Sequence, residues 1–221
     1  MGNRTFLSIQ KDNTYTTLFE GNNSMALFWV MLMTPNDLAL LLAKLKEFEE
    51  LLDTDDSVDD FDSSMVLKRE PALALAMSRR PYIEQYYPSS VALFDDWILY
   101  LTNEPSDDNL LYLELIEYAA FYTSNEEFYN EFLNMLQMID NKLQISEFEN
   151  DVPFLTGFEG WGLVKFCEMS QAYRNLEDAP PADTHSKVTS SKQSNTSIKN
   201  WLLAIIVGLI VASIIMYLMY K

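Results

Sequence analysis

The side chains that could do chemistry are few, and their spacing is poor for it. Glu114, Glu117, Glu126, Glu127 and Glu131 fall within one acidic stretch, and paired carboxylates can serve as general acid and base. No His, Lys or Tyr arrangement singles out one pair, and helix surfaces carry such residues routinely. Cys167 is the one thiol, with apolar neighbours and no adjacent basic partner, which predicts a buried, inert group. The one histidine, His185, lies in a polar stretch near the C-terminus, so His-based triads and His-rich metal sites are excluded from the preceding domain.

Three further clusters invite a functional reading. The aspartate-rich segment 53–64 (DTDDSVDDFDSS) lacks the central Gly and terminal Glu of a calcium loop, and is expected to be a solvated loop. Within GFEGWGLVKFCEM, residues 157–169, three glycines flank Trp161. Their spacing is not G-x-G-x-x-G and no strand is expected before them, so a phosphate cradle is unsupported. Glycines beside a Trp are expected to let backbone pack closely on its ring. Arg79-Arg80-Pro81 is the one tight basic cluster, free to answer the acidic loop or another acidic surface. The expectation is no catalytic residue, no cofactor, no metal and no enzyme activity, with Arg79, Arg80 and Trp161 as candidate contacts for a protein partner.

The strongest signal concerns place rather than chemistry. Trp201 to Tyr220 reads WLLAIIVGLIVASIIMYLMY without a charge, bracketed by Lys199 and Lys221. About 20 residues at helical rise cover roughly 30 Å, the depth of a bilayer's hydrocarbon core. Trp201, Tyr217 and Tyr220 stand near its ends, where amphipathic rings favour the headgroup level. The stretch predicts a transmembrane tail anchor. Lys187, Lys192 and Lys199 precede it against Lys221 alone after it, which places the N-terminal domain in the cytoplasm. The start of the chain lacks the long apolar stretch of a signal peptide. The expected organisation is an acidic globular domain over 1–178, a disordered polar linker over 179–200 and the anchor over 201–220. Membrane lipid is then one partner, through residues 201–220.

The formal net charge of -18 argues against nucleic acid as a partner, because phosphate binding calls for Lys and Arg. A single cysteine allows no intrachain disulfide and suits a reducing compartment.

The elements that must position these groups read as α+β and mostly helical: an N-terminal β-hairpin, then a helical domain, then the membrane helix. RTFLSIQ (4–10) alternates, Lys11-Asp12-Asn13 turns, and TYTTLFE (14–20) is β-branched and aromatic. Met25 to Met33 is apolar throughout, and Ser24 as a possible cap tilts it to helix. Thr34-Pro35-Asn36-Asp37 opens a helix to about Leu52 with Leu38, Leu41, Leu42 and Leu45 as its stripe. A short strand and a helix from Pro71 follow within 65–77, then a helix through about Leu101 with Phe94, Trp97, Ile98 and Leu101 inward. Ser106-Asp107-Asp108 is read as starting a helix to about Tyr122. Ser124 with Glu127 opens another to about Asp140, with Phe128, Phe132, Met135, Leu136 and Ile139 inward.

Two resemblances bear on setting. Gly2, Asn3, Arg4, Thr5, Phe6 and Leu7, then Glu20, Asn22, Asn23 and Trp29, resemble the N-terminus of a family of uncharacterised bacterial proteins that open on an MGNR(S/T)-aromatic-Leu strand. The resemblance covers about the first 35 residues and implies a bacterial cytoplasmic setting, hence the inner membrane for the anchor, and no chemistry. More weakly, an acidic helical domain with a long acidic loop, Gly160-Trp161-Gly162 and a tail anchor resembles the Bcl-2 family of apoptosis regulators. That resemblance implies an all-helical fold binding BH3 helices at an intracellular membrane; the N-terminal hairpin departs from it. The function expected first is a tail-anchored membrane protein whose acidic domain binds a protein partner, and the Bcl-2-like regulator is the alternative.

Overall fold

The computed structural model describes residues 3–53, 61–145 and 151–177. The tail 201–220, the linker 179–200, His185 and most of the acidic loop lie outside the described residues. The described part is α+β and begins with the antiparallel hairpin that alternation predicts: β1 (Arg4–Lys11) and β2 (Thr14–Asn22). Asp12 and Asn13 both take positive φ, 52° and 58°, the two-residue turn whose twist matches the flanking strands. Short polar side chains tolerate that conformation best after glycine. A bulge between Leu7 and Ser8 leaves one extra residue on β2, so consecutive Leu18 and Phe19 are both buried.

The hairpin sits inside a larger sheet. Three later strands, β3 (Met65–Lys68), β4 (Leu110–Glu114) and β5 (Phe158–Glu159), complete a five-stranded sheet in the order β3-β4-β1-β2-β5. All its pairings are antiparallel, with Phe6 opposite Glu114 and Phe19 opposite Glu159. This corrects two expectations. The segment read as a helix over 106–122 is a turn, the strand β4 and one helical turn, α6 (Ile116–Ala119). The Ser106 hydroxyl does accept the Asn109 N–H, as a cap would, but Asn109 then turns left-handed with φ 57°. Leu110 to Leu113 enter the sheet between β3 and β1 instead. A strand inside a sheet that is apolar on consecutive residues carries no alternation to distinguish it from helix. The second correction is that a strand, β5, does enter the glycine-rich segment. A central sheet is also not a feature of the all-helical architecture that the Bcl-2 resemblance implies.

Helices cover the sheet face that carries Leu7, Ile9, Phe19, Leu111 and Leu113. Met25 to Met33 is buried throughout, yet only α1 (Leu27–Val30) is helical, capped at Ala26 rather than Ser24. The Trp29 indole N–H donates to the Thr156 carbonyl at 2.8 Å, tying α1 to α8 (Val152–Thr156). The long helix α2 (Pro35–Asp53) opens on a reciprocal cap: Thr34 N–H and hydroxyl donate to Asp37, and Asp37 N–H returns to Thr34 at 3.2 Å. The next helix, α3 (Arg69–Ser78), starts two residues before Pro71, which fits the first turn because N–H groups there have no helical acceptor. After it come α4 (Arg80–Tyr86), a 3₁₀ turn at Pro88–Ser90 and α5 (Val91–Asn103). Ser124 caps α7 (Asn125–Asp140) by accepting the Glu127 N–H at 3.1 Å. The short helices α9 (Phe166–Met169) and α10 (Gln171–Glu177) finish the body. Phe19, Phe28, Phe94, Trp97, Tyr100 and Phe166 form one aromatic cluster between sheet and helices, with neighbouring ring centroids 5.0–6.5 Å apart. No helix among the described residues is long and apolar enough to cross a membrane.

Candidate functional site: a tyrosine-walled acidic hollow on the open sheet face

The pleat that sends Leu7 and Ile9 into the core sends Phe6 and Ser8 to the other face. Register then places Glu114 beside Phe6, and Tyr112 and Thr17 on either side of Ser8. Residues 61–64 cross this face. Together they enclose a hollow of about 420 Å³ whose walls include Tyr15, Tyr112, Phe61, Asp62 and Glu114. The Tyr15 and Tyr112 rings meet edge to face, centroids 4.9 Å apart. Each oxygen of Glu114 is taken by a serine hydroxyl, Ser63 at 2.5 Å and Ser64 at 3.3 Å, which fastens the 61–64 segment to β4. Lys44 of α2 holds the same segment from the other side. Its ammonium donates to the carbonyls of Asp62 and Ser64 at 3.1 and 2.8 Å and lies 3.5 Å from the Asp62 carboxylate.

The electrostatics of the hollow are acidic. Burial pulls the Asp62 carboxyl upward, but hydrogen bonds from Ser64 and the Lys44 charge outweigh it and hold the group below its usual range. Burial first, and then the hydrogen bond at 2.5 Å to Asp108, push the Tyr112 phenol well above its ordinary value. Tyr15 is raised by burial and by Asp62, Asp108 and Glu114. Both phenols are therefore neutral at physiological pH, and the formal charge around them is negative. Tyrosine ring faces with carboxylates beside them suit a guanidinium or ammonium group.

The residues singled out in sequence are placed elsewhere. Arg79 is buried between α3 and α4. One of its nitrogens donates to the carbonyls of Met31 and Met33 at 3.0 and 2.7 Å, and the other two donate to the Asp140 carboxylate at 2.7 and 3.1 Å. Arg80 grips Asp95 with two bonds of 2.7 Å and also reaches Glu84. The hydrogen bonds to Asp95 lead in raising its already high pKa. Both guanidiniums thus meet acids on the helices, and the described end of the acidic loop is answered by Lys44. Trp161 is 81% exposed. Two of the neighbouring glycines serve other aromatic side chains, and Gly160 lies against the β2 main chain at Thr17 and Leu18. A Cβ on Gly157, whose φ is 84°, would sit 2.7 Å from the Trp29 ring, and one on Gly162 would sit 1.8 Å from the Tyr100 hydroxyl.

The other carboxylates are each engaged structurally. Glu117 accepts the Arg4 N–H at 2.8 Å, Glu126 pairs with Lys46 at 2.7 Å, Glu127 accepts from Thr123, and Glu131 accepts the Tyr122 hydroxyl at 2.8 Å. Glu114, alone of the five, lines the hollow. Cys167 is half-buried rather than fully buried; its thiol is raised first by the hydrogen bond to Glu159 and then by burial, and stays protonated. Among the described residues no group of three His, Cys, Asp or Glu side chains could hold a metal ion. Sequence reasoning missed the hollow, although the alternation of RTFLSIQ and TYTTLFE already separates Phe6, Ser8, Tyr15 and Thr17 from the core positions. No family model, no curated protein and no solved structure matches the chain.

Proposed function

We propose that the protein is a tail-anchored, single-pass membrane protein whose acidic body faces the cytoplasm and recognises a basic segment of a protein partner. The anchor rests on the uncharged apolar run Trp201 to Tyr220 and the lysines before it. The recognition half rests on one observation: a hollow of about 420 Å³ walled by Tyr15 and Tyr112 and edged by Asp62 and Glu114. A pocket of that size holds one large side chain, and its rings and carboxylates favour arginine or lysine. The body's acidity supports the same choice by steering cations toward it. The carboxylates have structural partners, so the reading assigns them binding and no catalysis.

The anchor is tested by lysis without detergent: the intact protein belongs in the membrane pellet, and its recovery in the high-speed supernatant would end that half. The hollow is tested with full-length protein in phosphatidylcholine nanodiscs and labelled peptides rich in arginine or in glutamate. Arginine-rich peptides should bind and glutamate-rich ones should not. Tyr15→Ala with Glu114→Gln should weaken binding at least fivefold, and equal binding by the parent and the double variant would refute the site.

A further inference from the structure

Between β5 and α9 the chain presents large apolar side chains outward. Phe158 is 49% exposed, Trp161 81%, Leu163 66% and Val164 48%. A frayed loop could expose such residues by chance, but this backbone is pinned. Gly160 N–H donates to the Leu18 carbonyl at 2.8 Å and Trp161 N–H to the Thr17 carbonyl at 2.6 Å. Leu163 N–H donates to Glu104, whose own side chain is buried, and Cys167 N–H donates to Glu159 at 3.2 Å. The fold therefore holds a Trp-Gly-Leu-Val tip in place with its apolar groups in water. Large apolar side chains held outward by a pinned backbone suit a contact face.

The charge pattern says what sort of face. Gly160 to Lys165 contains no acid, and its one charge is Lys165, although the chain as a whole carries -18. A tip of Trp, Leu and Val with a flanking lysine has the composition that settles at the headgroup level of a bilayer. The rest of the body would be repelled by anionic lipid, so a neutral, weakly cationic tip on a zwitterionic surface is the combination without that penalty. Reach is sufficient. Residues 178–200 number 23 and span at most about 80 Å even fully drawn out, which bounds how far an anchored body can stray from lipid. At such local concentrations a weak contact is populated.

We propose that the 160–165 tip is a second membrane contact that docks the body onto the zwitterionic surface to which the tail tethers it. The inference rests on the tail-anchor reading above.

The chain's four tryptophans make the test direct, because Trp29 and Trp97 are fully buried. Full-length protein is placed at one copy per nanodisc of phosphatidylcholine, with or without lipid brominated near the headgroup. Trp201→Phe reports Trp161 after subtraction of the Trp161→Phe/Trp201→Phe double variant; Trp161→Phe reports Trp201 in the same way. The expected result is at least a twofold loss of the Trp161 signal in brominated discs. An unquenched Trp161 beside a quenched Trp201 overturns the docking proposal, leaves the anchor standing, and points the tip at a protein or a second copy instead. If neither is quenched, the anchor reading falls and the docking proposal falls with it.

Discussion

The Arg79 guanidinium closes on the Asp140 carboxylate through two bonds, 2.7 and 3.1 Å, while its remaining nitrogen spans the carbonyls of Met31 and Met33. The side chain of Arg79 is 5% exposed and that of Asp140 49%. The pair thus joins the α3–α4 junction to the end of α7 and to the buried 25–33 segment. Arg79→Ala orphans two carbonyls and should cost about 3–5 kcal/mol. Asp140→Asn keeps a hydrogen-bond acceptor at a half-exposed site and should cost about 1 kcal/mol. Urea midpoints of the detergent-solubilised protein would show the gap; equal losses would mean the carbonyl contacts carry nothing.

Gly157 combines a φ of 84° with a neighbour 2.7 Å from the position of an added Cβ. Gly157→Ala should therefore cost about 3 kcal/mol, from left-handed backbone strain and from displacing the Trp29 ring. A lower melting temperature with a red-shifted buried-tryptophan emission is the expected outcome. Wild-type emission together with wild-type melting would contradict the packing.

Stability should fall at alkaline pH. Burial leads in raising the Tyr87 phenol to about 12 from an ordinary value near 10, with Tyr82 adding to it. Burial likewise raises Tyr82, Tyr100, Tyr112 and Tyr122. A phenol raised in the folded state ionises more readily once unfolded, so its contribution is whole below pH 10 and is lost as pH climbs through about 12. Urea midpoints should hold level up to about pH 10 and drop beyond it, with Tyr87→Phe flattening the slope. A midpoint that does not move between pH 10 and 12 would refute the burial of these rings.

The Cys167 thiol is held protonated chiefly by Glu159. Glu159→Gln keeps an acceptor for the Cys167 N–H and removes the charge. Alkylation of Cys167 by iodoacetamide at pH 8 should then speed up severalfold, because the thiolate is the reacting form. An unchanged rate would mean the carboxylate does not govern the thiol.

What the sequence showed and what it hid divides along range. The hairpin, the Thr34–Asp37 and Ser124–Glu127 caps, and the inward stripes of α2, α5 and α7 are set by residues a few positions apart, and each is legible as such. The strand β4 was not, because a buried run of leucines lacks alternation and its turn depends on Asn109 adopting a left-handed backbone. The fate of Arg79 was hidden because its acceptors are main-chain carbonyls, which every residue has. The hollow was hidden for a related reason: Tyr15, Asp62 and Tyr112 are neighbours only through strand register and the crossing of residues 61–64. The anchor proposal rests on composition alone, and residues 201–220 lie outside the described part.

The strand order imposes a timetable on the chain. The first strand lies against residues near 114, and the second is sheltered on its outer edge only when Phe158 and Glu159 arrive. Until then the outer edge of β2 has bare main-chain groups, the surface through which β-rich chains pair with the wrong neighbour. Premature termination anywhere before Phe158 should consequently yield aggregates rather than a smaller soluble fragment, since β2 would be left without its cover.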